Sequence, residues 1–268
     1  MAKPVVLTIS GHDPTGGAGI QADIEAIIAV GCRPVSAITC LTVQDTTNVN
    51  RVEPTTPQLL DDQIRTLLAD LHIAVIKIGL IPDAGTLNVI SQVLRENPAL
   101  PTVLDPVLTS GAGSELTVGQ FIDRMTDELL PRVTLLTPNS LEARRLGGSQ
   151  ELQPCAQQLL ARGCQAVLIT GTHEAGEKVH HHLYQGDADV INSSWPRLPG
   201  SYHGSGCTLA SSIAGLMAHG ERLENAVHKA LEYTWNSLAH SERPGHGQLL
   251  PDRIFALRRP EVLFDETT

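Results

Sequence analysis

The chain has 268 residues, of which 41% are hydrophobic and 18% charged, so it can form a sizeable core and is not an intrinsically disordered chain. Its net charge of −10 argues against non-specific binding to nucleic acid or to an anionic membrane surface. The five cysteines contain no CxxC pair, and no signal peptide or membrane-spanning stretch is evident, so we expect a cytoplasmic protein with reduced thiols.

Short apolar runs rich in valine and isoleucine alternate along the chain with longer segments of helical period. In chain order, we predict strands at VVLTIS, SAITCLT, AVIKIGL, TVLDPVL, VTLLTPN and AVLITGT. We predict helices from about Ile20 to Gly31, from Pro57 to Leu71, and from an N-cap at Asp83 to about Leu94. This alternation predicts a mainly parallel sheet with helices on both faces.

The pattern changes in the last third of the chain. KVHHHLYQGDADVINSSW predicts a hairpin at a sheet edge, with its turn at Gln185-Gly186-Asp187. Adjacent residues of a strand point to opposite faces, so His180, His181 and His182 do not converge on one metal ion and favour a surface strand.

Two further helices, at about 205–218 and 223–238, complete the predicted core. We find no linker, repeat or low-complexity segment. The sequence therefore predicts a single domain over 1–268, with its core at about 5–240 and a tail at 241–268 that carries little structural information.

Polar and glycine residues collect where the predicted strands end. SGHDPTGGAG, TVQD, KIGL, LDPV, TPNSLE and TGTHE each follow a strand. The carboxyl ends of parallel strands share one edge, so six such endings predict a composite site along one rim of the sheet. The first ending does not match the phosphate-binding G-x-x-x-x-G-K-[ST] pattern, because Gly17 and Ala18 occupy the positions of Lys and Ser/Thr.

A second phosphate-binding candidate is the segment HGSGCTLASSIAGLMAHG, which opens a helix. The first turn of a helix presents unpaired N–H groups and partial positive charge, so Gly204, Ser205, Gly206 and Cys207 form a candidate anion hole. In that turn the Cys207 thiol is expected to be more acidic than usual. The alternative is a tight helix start that holds a small buried cysteine.

Three acidic residues are candidates for the site. Asp105 and Glu142 follow strand ends, and dispersed oxygen ligands of this kind suit Mg²⁺, which takes one or two carboxylates together with phosphate oxygens. Alternatively, Asp105 caps a turn and Glu142 is an ordinary first-turn acid of a helix. Asp23 flanks the buried stripe of its helix, where it could either reach a ligand or face solvent.

The motifs SGHDPTGGAGIQAD, TVQD, KIGL, VLDPV, TPNSLEA and HGSGCTLASSIA, taken in this order, resemble the hydroxymethylpyrimidine/phosphomethylpyrimidine kinases of thiamine biosynthesis, in the ribokinase-like superfamily. The resemblance runs from about Val5 to Leu238. It implies a three-layer α/β/α sandwich with a mainly parallel central sheet. It also implies ATP- and Mg²⁺-dependent phosphorylation of 4-amino-5-hydroxymethyl-2-methylpyrimidine and of its monophosphate, and a homodimer.

The same resemblance assigns roles to individual positions. Gly11, Asp23 and Gln44 match pyrimidine-binding residues, and Asp105 and Glu142 match the magnesium and phosphate region. ATP is assigned to Asn139, Thr170 and Gly171.

Cys207 stands where related sugar kinases carry an aspartate base, so general-base assistance by its thiol is the hypothesis for catalysis. The sequence also departs from the family pattern, since Thr170 stands where many members carry lysine. These departures leave open whether both phosphorylation steps are performed.

Other functions remain open from the residues alone. A pyridoxal kinase of the same superfamily is the nearest rival, because a pyridine that bears a hydroxymethyl group is sterically close to the pyrimidine. A cysteine hydrolase would use Cys207 as nucleophile and His203 as base. A non-catalytic pyrimidine-binding regulator is the third alternative. The segment Thr109 to Leu116 is either a lid over the site or an ordinary surface loop.

Overall fold

A computed structural model of the chain describes residues 2–108, 119–186 and 188–257. The strands are β1 (Val5–His12), β2 (Arg33–Gln44), β3 (Val49–Pro54), β4 (Ile73–Ile78), β5 (Thr102–Leu104), β6 (Leu135–Leu136), β7 (Val167–Thr170), β8 (Lys178–Tyr184) and β9 (Ile191–Pro196). The helices are α1 (Gly19–Ala29), α2 (Pro57–Asp70), α3 (Ala84–Glu96), α4 (Gly119–Leu129), α5 (Ser140–Gly147), α6 (Leu152–Ala161), α7 (Ser205–Ala218) and α8 (Leu223–Ala239). The candidate lid Thr109 to Leu116 lies outside the described residues.

All nine strands belong to one sheet, in the order β3-β2-β1-β4-β5-β6-β7-β8-β9. Six adjacent strands run parallel to one another: β2, β1, β4, β5, β6 and β7. At one edge β3 pairs antiparallel with β2, and at the other edge β8 pairs antiparallel with β7 and with β9. The prediction of a mainly parallel sheet with a hairpin at one edge is confirmed. Strand β2 is longer than the predicted SAITCLT, since its last residues pair with β3, which the apolar pattern did not indicate.

Alternation along each strand divides the core into two layers. In β1, Leu7 and Ile9 pack into one hydrophobic cluster, whereas Val6 packs into the other. Helices α2 to α6 supply the first cluster, and α1, α7 and α8 supply the second. The sheet is therefore covered on both faces, as continuously apolar parallel strands require, and the predicted three-layer α/β/α sandwich is confirmed.

Local signals explain where the helices begin. The Thr56 side chain accepts a hydrogen bond from Leu59 N at the start of α2, with Pro57 as the first helical residue, and Asp83 accepts from Thr86 N at the start of α3. None of the helices in the described parts of the chain has the length and apolar character that crossing a bilayer requires.

The segment that follows α8 folds back onto the domain. Backbone bridges join Leu249 to Tyr202 and Leu250 to Glu242. Arg253, only 2% exposed, lies against the Gly-rich turn after β1. The described part of the tail is therefore integrated into the domain and supports the site.

Candidate active site

A cavity of ≈ 540 Å³ lies at the carboxyl ends of the parallel strands. Every predicted strand ending contributes to its wall: Gly11 and Gln44 lie at the ends of β1 and β2, Leu80 follows β4, Asp105 follows β5, Asn139 follows β6, and Thr170 ends β7. The start of α7 forms a further part of the wall. The predicted composite site along one rim is therefore a single cavity in the structure.

The Gly-rich turn between β1 and α1 is held by Asp13. The Asp13 carboxylate accepts hydrogen bonds from Thr15 N and Ala18 N, both at 2.8 Å, and from the Thr15 hydroxyl. Burial disfavours its charged form, but hydrogen bonds from His203 and Thr15 outweigh burial and lower the pKa of the carboxyl. Asp13 is therefore an ionised anchor for the turn.

Asp13 also links the turn to the residues before α7. His203 Nε2 lies 2.9 Å from Asp13 Oδ2 and 3.3 Å from Gln44 Nε2. Because the ionised Asp13 only accepts hydrogen bonds, His203 Nε2 must donate its proton there and cannot also accept one from Gln44. The Gln44 amide is therefore not fixed by a hydrogen bond to His203, and its donor and acceptor groups are left for a ligand.

The start of α7 packs tightly against the Gly-rich turn. Gly204, the N-cap, has φ 79°, and a Cβ there would lie 1.9 Å from the Gly17 carbonyl oxygen. The positive φ and the close contact therefore each require glycine at position 204. Arg253 donates to the Gly17 carbonyl and to the Thr208 hydroxyl, so that the turn and the helix are fixed relative to each other.

The first turn of α7 faces Asp105. Gly206 lies so close that a Cβ on it would stand 3.6 Å from Asp105 Oδ1. The first intrahelical bond runs from Thr208 N to the Gly204 carbonyl, so the N–H groups of Ser205, Gly206 and Cys207 have no acceptor within the helix. The residues predicted to form an anion hole are thus brought together beside an acidic side chain.

Cys207 lies in this turn, as predicted, but its thiol is not acidified. Burial raises the pKa of Cys207 to about 12, and Asp105 and Asp23 add to the effect, although Lys77 opposes it. The expectation of a more acidic thiol is wrong, because the helix N-terminus acts on a group that is nearly excluded from water and has two carboxylates nearby. The raised pKa also counts against a cysteine hydrolase, which needs a thiolate as its nucleophile.

Asp105 and Glu142 both titrate above their usual range. Burial raises the pKa of Asp105 to about 6, and burial followed by the charge of Asp105 raises the pKa of Glu142 to about 8. Glu142 also belongs to a capping box with Asn139, since its Oε2 accepts from Asn139 N at 2.9 Å while Asn139 Oδ1 accepts from Glu142 N at 3.0 Å. The first-turn interpretation of Glu142 is therefore correct, and the residue also lines the cavity.

These two carboxylates fit a magnesium ion. Asp105 Oδ2 is buried and has no hydrogen-bond partner, and the mutual repulsion of two acids is what a divalent cation relieves. No group of three or more His, Cys, Asp or Glu residues in the described ranges is arranged to hold a metal. Mg²⁺ needs no such group, because waters and substrate phosphates complete its coordination. We call Asp105, Glu142 and residues 205–207 the phosphoryl centre.

Asp23 does not reach the cavity. It is fully buried below it, where Lys77 Nζ lies 2.8 Å from Asp23 Oδ1 and the Ser211 hydroxyl donates to the same oxygen at 2.6 Å. The Thr8 hydroxyl donates to the other oxygen. The prediction that Asp23 contacts the pyrimidine is therefore wrong, because the Asp23 carboxylate is occupied by these buried protein groups.

At the far side of the phosphoryl centre, Thr170 lines the cavity, whereas Gly171 does not. A Cβ on Gly171 would lie 2.3 Å from the His180 carbonyl oxygen, so this residue serves the close packing of β7 on β8 and is not placed to contact ATP. His180 is exposed, as predicted for a surface strand, but His181 is buried and lines the cavity. The surface prediction is therefore wrong for His181.

Sequence reasoning missed Asp13, Lys77 and Arg253. Lys77 had a signal, because a single lysine inside the apolar run AVIKIGL needs a buried counter-charge. Asp13 follows the first strand directly in SGHDPTGG, and aspartate often organises such turns through its own side chain. Nothing in the tail sequence indicated that Arg253 would be buried.

The fold and this site together define a phosphotransferase of the α/β class, and comparisons with known proteins agree. The family model described as Phosphomethylpyrimidine kinase matches residues 13–252. The chain is 35% identical over 256 residues to a hydroxymethylpyrimidine/phosphomethylpyrimidine kinase of Synechococcus elongatus, which covers 92% of this chain and 96% of the relative. The chain belongs to the phosphomethylpyrimidine kinase family.

Two further comparisons bear on length and fold. The chain is 32% identical over 270 residues to a probable thiamine biosynthetic bifunctional enzyme of rice, covering 97% of this chain but 49% of the relative, so it spans about half of that protein. The solved pyridoxal kinase of Staphylococcus aureus in complex with AMP-PCP superposes with a TM-score of 0.88 at 25% identity, covering 97% of this chain and 96% of that one. The similarity to pyridoxal kinase is one of three-dimensional structure.

Proposed function

We propose that the protein transfers the γ-phosphoryl group of ATP to the hydroxymethyl group of 4-amino-5-hydroxymethyl-2-methylpyrimidine, to its monophosphate, or to both. One observation carries the proposal. A single cavity holds the Gln44 amide at one end and the free N–H groups of α7, opposite Asp105, in its middle. The names of the sequence relatives support the same activity.

The acceptor occupies the end of the cavity near Gly11 and Gln44. Gln44 lines this end and carries one acceptor oxygen and two N–H donors, which can pair with the amino group and a ring nitrogen of an aminopyrimidine. Gly11 also lines this end, and glycine is required there because a Cβ would lie 2.8 Å from Cys40 Sγ on β2. Asp23 lies outside the cavity, where it holds Lys77 in a buried ion pair, and is not assigned a contact with the acceptor.

The N–H groups of Ser205, Gly206 and Cys207 stabilise negative charge on the transferred phosphoryl group. Phosphoryl transfer depends mainly on positioning and charge stabilisation, and the alcohol proton leaves late. In the proposal Cys207 acts as a thiolate, which accepts the alcohol proton and becomes a neutral thiol. Because burial raises the pKa of Cys207 to about 12, the thiol must first lose its own proton to solvent, and positive charge bound at Asp105 favours that loss. The backbone and the thiol of residue 207 therefore have separate roles.

Magnesium would be held by Asp105 and Glu142. When bound there, the ion supplies positive charge that offsets both carboxylates and the phosphates of ATP, including the Asp105 charge that raises the pKa of the Cys207 thiol. Asn139 and Thr170 lie beyond this point in the cavity and flank the donor nucleotide. Thr170 is neutral, so it provides no cation of the kind that a lysine would provide there.

The deciding experiment incubates the purified protein with Mg·ATP and the hydroxymethyl pyrimidine, and detects products by mass. The monophosphate alone indicates the first step, and the pyrophosphate indicates both. Starting from the monophosphate tests the second step separately. Absence of any phosphorylated pyrimidine would contradict the proposal and favour a binding protein without transfer activity.

Pyridoxal is the second candidate acceptor, favoured by the structural likeness to a pyridoxal kinase. Comparing kcat/KM for the two alcohols on the same preparation separates the two functions. Gln44→Leu is expected to lower kcat/KM for the pyrimidine more than for pyridoxal, because the amide is matched to the aminopyrimidine edge. A homodimer and a cytoplasmic location remain predictions, and sedimentation of the purified protein tests the former.

A further inference from the structure

Lys77 is a fully buried lysine that lies just outside the cavity. It belongs to β4 and pairs with Thr8 on β1 and with Val103 on β5, in the middle of the parallel sheet. Its two hydrogen bonds to described residues both go to the Asp23 carboxylate, at 2.8 and 3.0 Å. Taking two charges out of water is expensive even when they are paired, so stability alone does not explain an ion pair at this place.

Strand alternation places Lys77 one row beneath the residues that bound the cavity. Lys77 shares its face of the sheet with Gly79, which is two residues further along the chain. Gly79 N donates to the Ile9 carbonyl at 2.9 Å, so the pairing with β1 continues into this row. The register places Ser10 and Asp105 on either side of Gly79, and both of these residues line the cavity.

Glycine at position 79 lets the Lys77 ammonium extend up to the row that bounds the cavity. A Cβ on Gly79 would lie 2.2 Å from Ser10 Oγ and 2.9 Å from Lys77 Nζ. The hydroxyl and the ammonium therefore occupy the space that a side chain of residue 79 would fill. The charge of Lys77 lies directly beneath the phosphoryl centre, next to Asp105, although Lys77 does not itself line the cavity.

The carboxylate of the ion pair lies deeper than the ammonium. Asp23 accepts hydrogen bonds from the Thr8 hydroxyl, in the row of Lys77, and from the Ser211 hydroxyl at 2.6 Å. Ser211 follows Cys207 by one turn of α7, so the two residues share a face of the helix, and Ser211 is the one farther from the cavity. The ion pair is therefore oriented with its positive end towards the phosphoryl centre.

The charges of the pair act on two groups of the phosphoryl centre in agreement with this orientation. Burial raises the pKa values of Cys207 and Asp105, and Lys77 is the strongest charge that opposes it at both. Asp23 raises both pKa values, but its effect is smaller than that of Lys77, as expected for the more distant charge. Burial disfavours the charged form of Lys77 itself, but its acidic neighbours, Asp23 foremost, outweigh burial and raise its pKa. The ammonium is therefore charged at neutral pH.

We propose that Lys77 is a positioning residue of the transfer reaction, whose buried ammonium stabilises from beneath the negative charge that collects at the phosphoryl centre during transfer. This inference rests on the proposed function. Lys77 does not touch the substrate, and it adds a full charge to the partial charges of the N–H groups of residues 205–207. Because Asp23 holds the ammonium away from water, its charge is little screened and needs no reorganisation when negative charge develops.

Replacing the ion pair by a neutral pair tests the proposal. The double variant that combines Lys77→Gln with Asp23→Asn removes both charges together, so no uncompensated charge is left in the interior. Its two amides can hydrogen-bond to each other. We expect kcat to fall on the order of 10-fold, the effect of a charge that acts over several ångströms inside a protein. The KM for the hydroxymethyl pyrimidine should be unchanged, because this acceptor is neutral and binds at Gln44.

Thr8→Val is the matched control. It removes one hydrogen bond to Asp23 from the same buried cluster and keeps both charges, so we expect a lower Tm and the kcat of wild type. A second double variant, which combines Lys77→Met with Asp23→Asn, deletes the same charges with a different side chain. Thermal unfolding of each protein establishes that it is folded at the temperature of the kinetic assay.

The outcomes separate this role from the fold and from the proposed function. A wild-type kcat in the folded double variants would overturn the role of Lys77 and leave the proposed function intact. An equal loss of kcat in Thr8→Val would also overturn it, because the buried cluster would then act through packing and not through charge. Failure of the wild-type protein to phosphorylate the pyrimidine would overturn the proposed function, and this inference with it.

Discussion

Two regions of one cavity show pKa shifts in opposite directions. One is the phosphoryl centre, and the other is the base-end wall, formed by Val179, His181, Trp195, Leu209, Leu231, Thr234 and Leu238. At the phosphoryl centre, burial raises the pKa values of Asp105 and Glu142, so that two acids are held against each other, and Lys77 offsets only part of the shift at Asp105. At the base-end wall, burial lowers the pKa of His181, so that its imidazole ring is held in the neutral form. The same desolvation therefore acts on both groups of residues with opposite sign.

This difference shows what each region can bind. The phosphoryl centre becomes more favourable when positive charge arrives, whether from a metal ion or from a proton. The base-end wall gains from neutral hydrogen-bonding partners and would be disfavoured by a charge. A ligand that carries Mg²⁺ and phosphates at one end and an uncharged aromatic base at the other satisfies both regions at once, which is the chemistry of Mg·ATP.

The largest expected effect concerns the thiol in the phosphoryl centre. We expect Cys207→Ala to lower kcat about 10²- to 10⁴-fold, the usual contribution of a general base, with little change in KM for ATP because the N–H of residue 207 is kept. Steady-state kinetics across pH measures this. Cys164→Ala is the control, since it removes a buried cysteine that does not line the cavity. A kcat close to wild type at every pH would assign proton removal to another group.

The buried ion pair beneath the phosphoryl centre gives the next effect. Asp23→Asn leaves Lys77 as an uncompensated buried charge, and we expect a loss of about 3–5 kcal/mol in the free energy of unfolding. Urea denaturation measures it, with Glu96→Gln in the exposed pair with Arg65 as a control that should change stability far less. The pyrimidine KM of the folded variant should stay close to wild type. A large increase in the pyrimidine KM with unchanged stability would instead show that Asp23 contacts the substrate directly.

The pH dependence of stability tests the electrostatics of Glu142. Its folded-state pKa is raised from 4.5 to about 8, so its contribution to stability is present below pH 4.5 and is lost as pH rises through 8. Glu142→Gln keeps the capping box, because glutamine can accept the same hydrogen bond. We expect this variant to be more stable than wild type at pH 9 in EDTA, by on the order of 2–4 kcal/mol.

Metal addition completes that test. Mg²⁺ should stabilise the wild type and reduce its difference from Glu142→Gln, since the ion binds the charged carboxylate. Thermal unfolding from pH 5 to pH 9, with and without Mg²⁺, measures both effects. Parallel stability curves for the two proteins, or no response to Mg²⁺, would show that Glu142 does not carry unrelieved charge in the folded state.

The general position of the site could be predicted from sequence because parallel topology leaves little choice. Once strands and helices alternate, all carboxyl ends meet at one edge, so Gly11, Gln44, Asp105 and Asn139 must lie along it. The free N–H groups at the start of α7 were predictable for a similar reason. Glycines before an apolar helical stripe mark a helix N-terminus, and unpaired N–H groups there are a property of every helix.

The environment of single side chains was not predictable in the same way. Helical spacing placed Asp23 beside a buried stripe but could not show that Lys77, 54 residues away, faces it across the interior. The acidity expected for Cys207 neglected its burial, which depends on α1 and β4 packing around α7. His181 was correctly placed on the opposite face from its neighbours, but which face meets the cavity depends on register with β7.

The smallest expected effect lies where the two regions meet. Thr170 pairs with His181, and the resemblance described in the sequence analysis implies a lysine at this position. We expect Thr170→Lys to lower KM for ATP only about 2- to 5-fold, since a partly exposed charge pair contributes about 0.2–1 kcal/mol, and to leave kcat unchanged. Thr172→Lys, two residues further along the cavity wall, controls for added charge alone. If Thr170→Lys raises KM instead, the neutral environment of the base-end wall extends to this residue, and the boundary between the two regions lies nearer to Asn139.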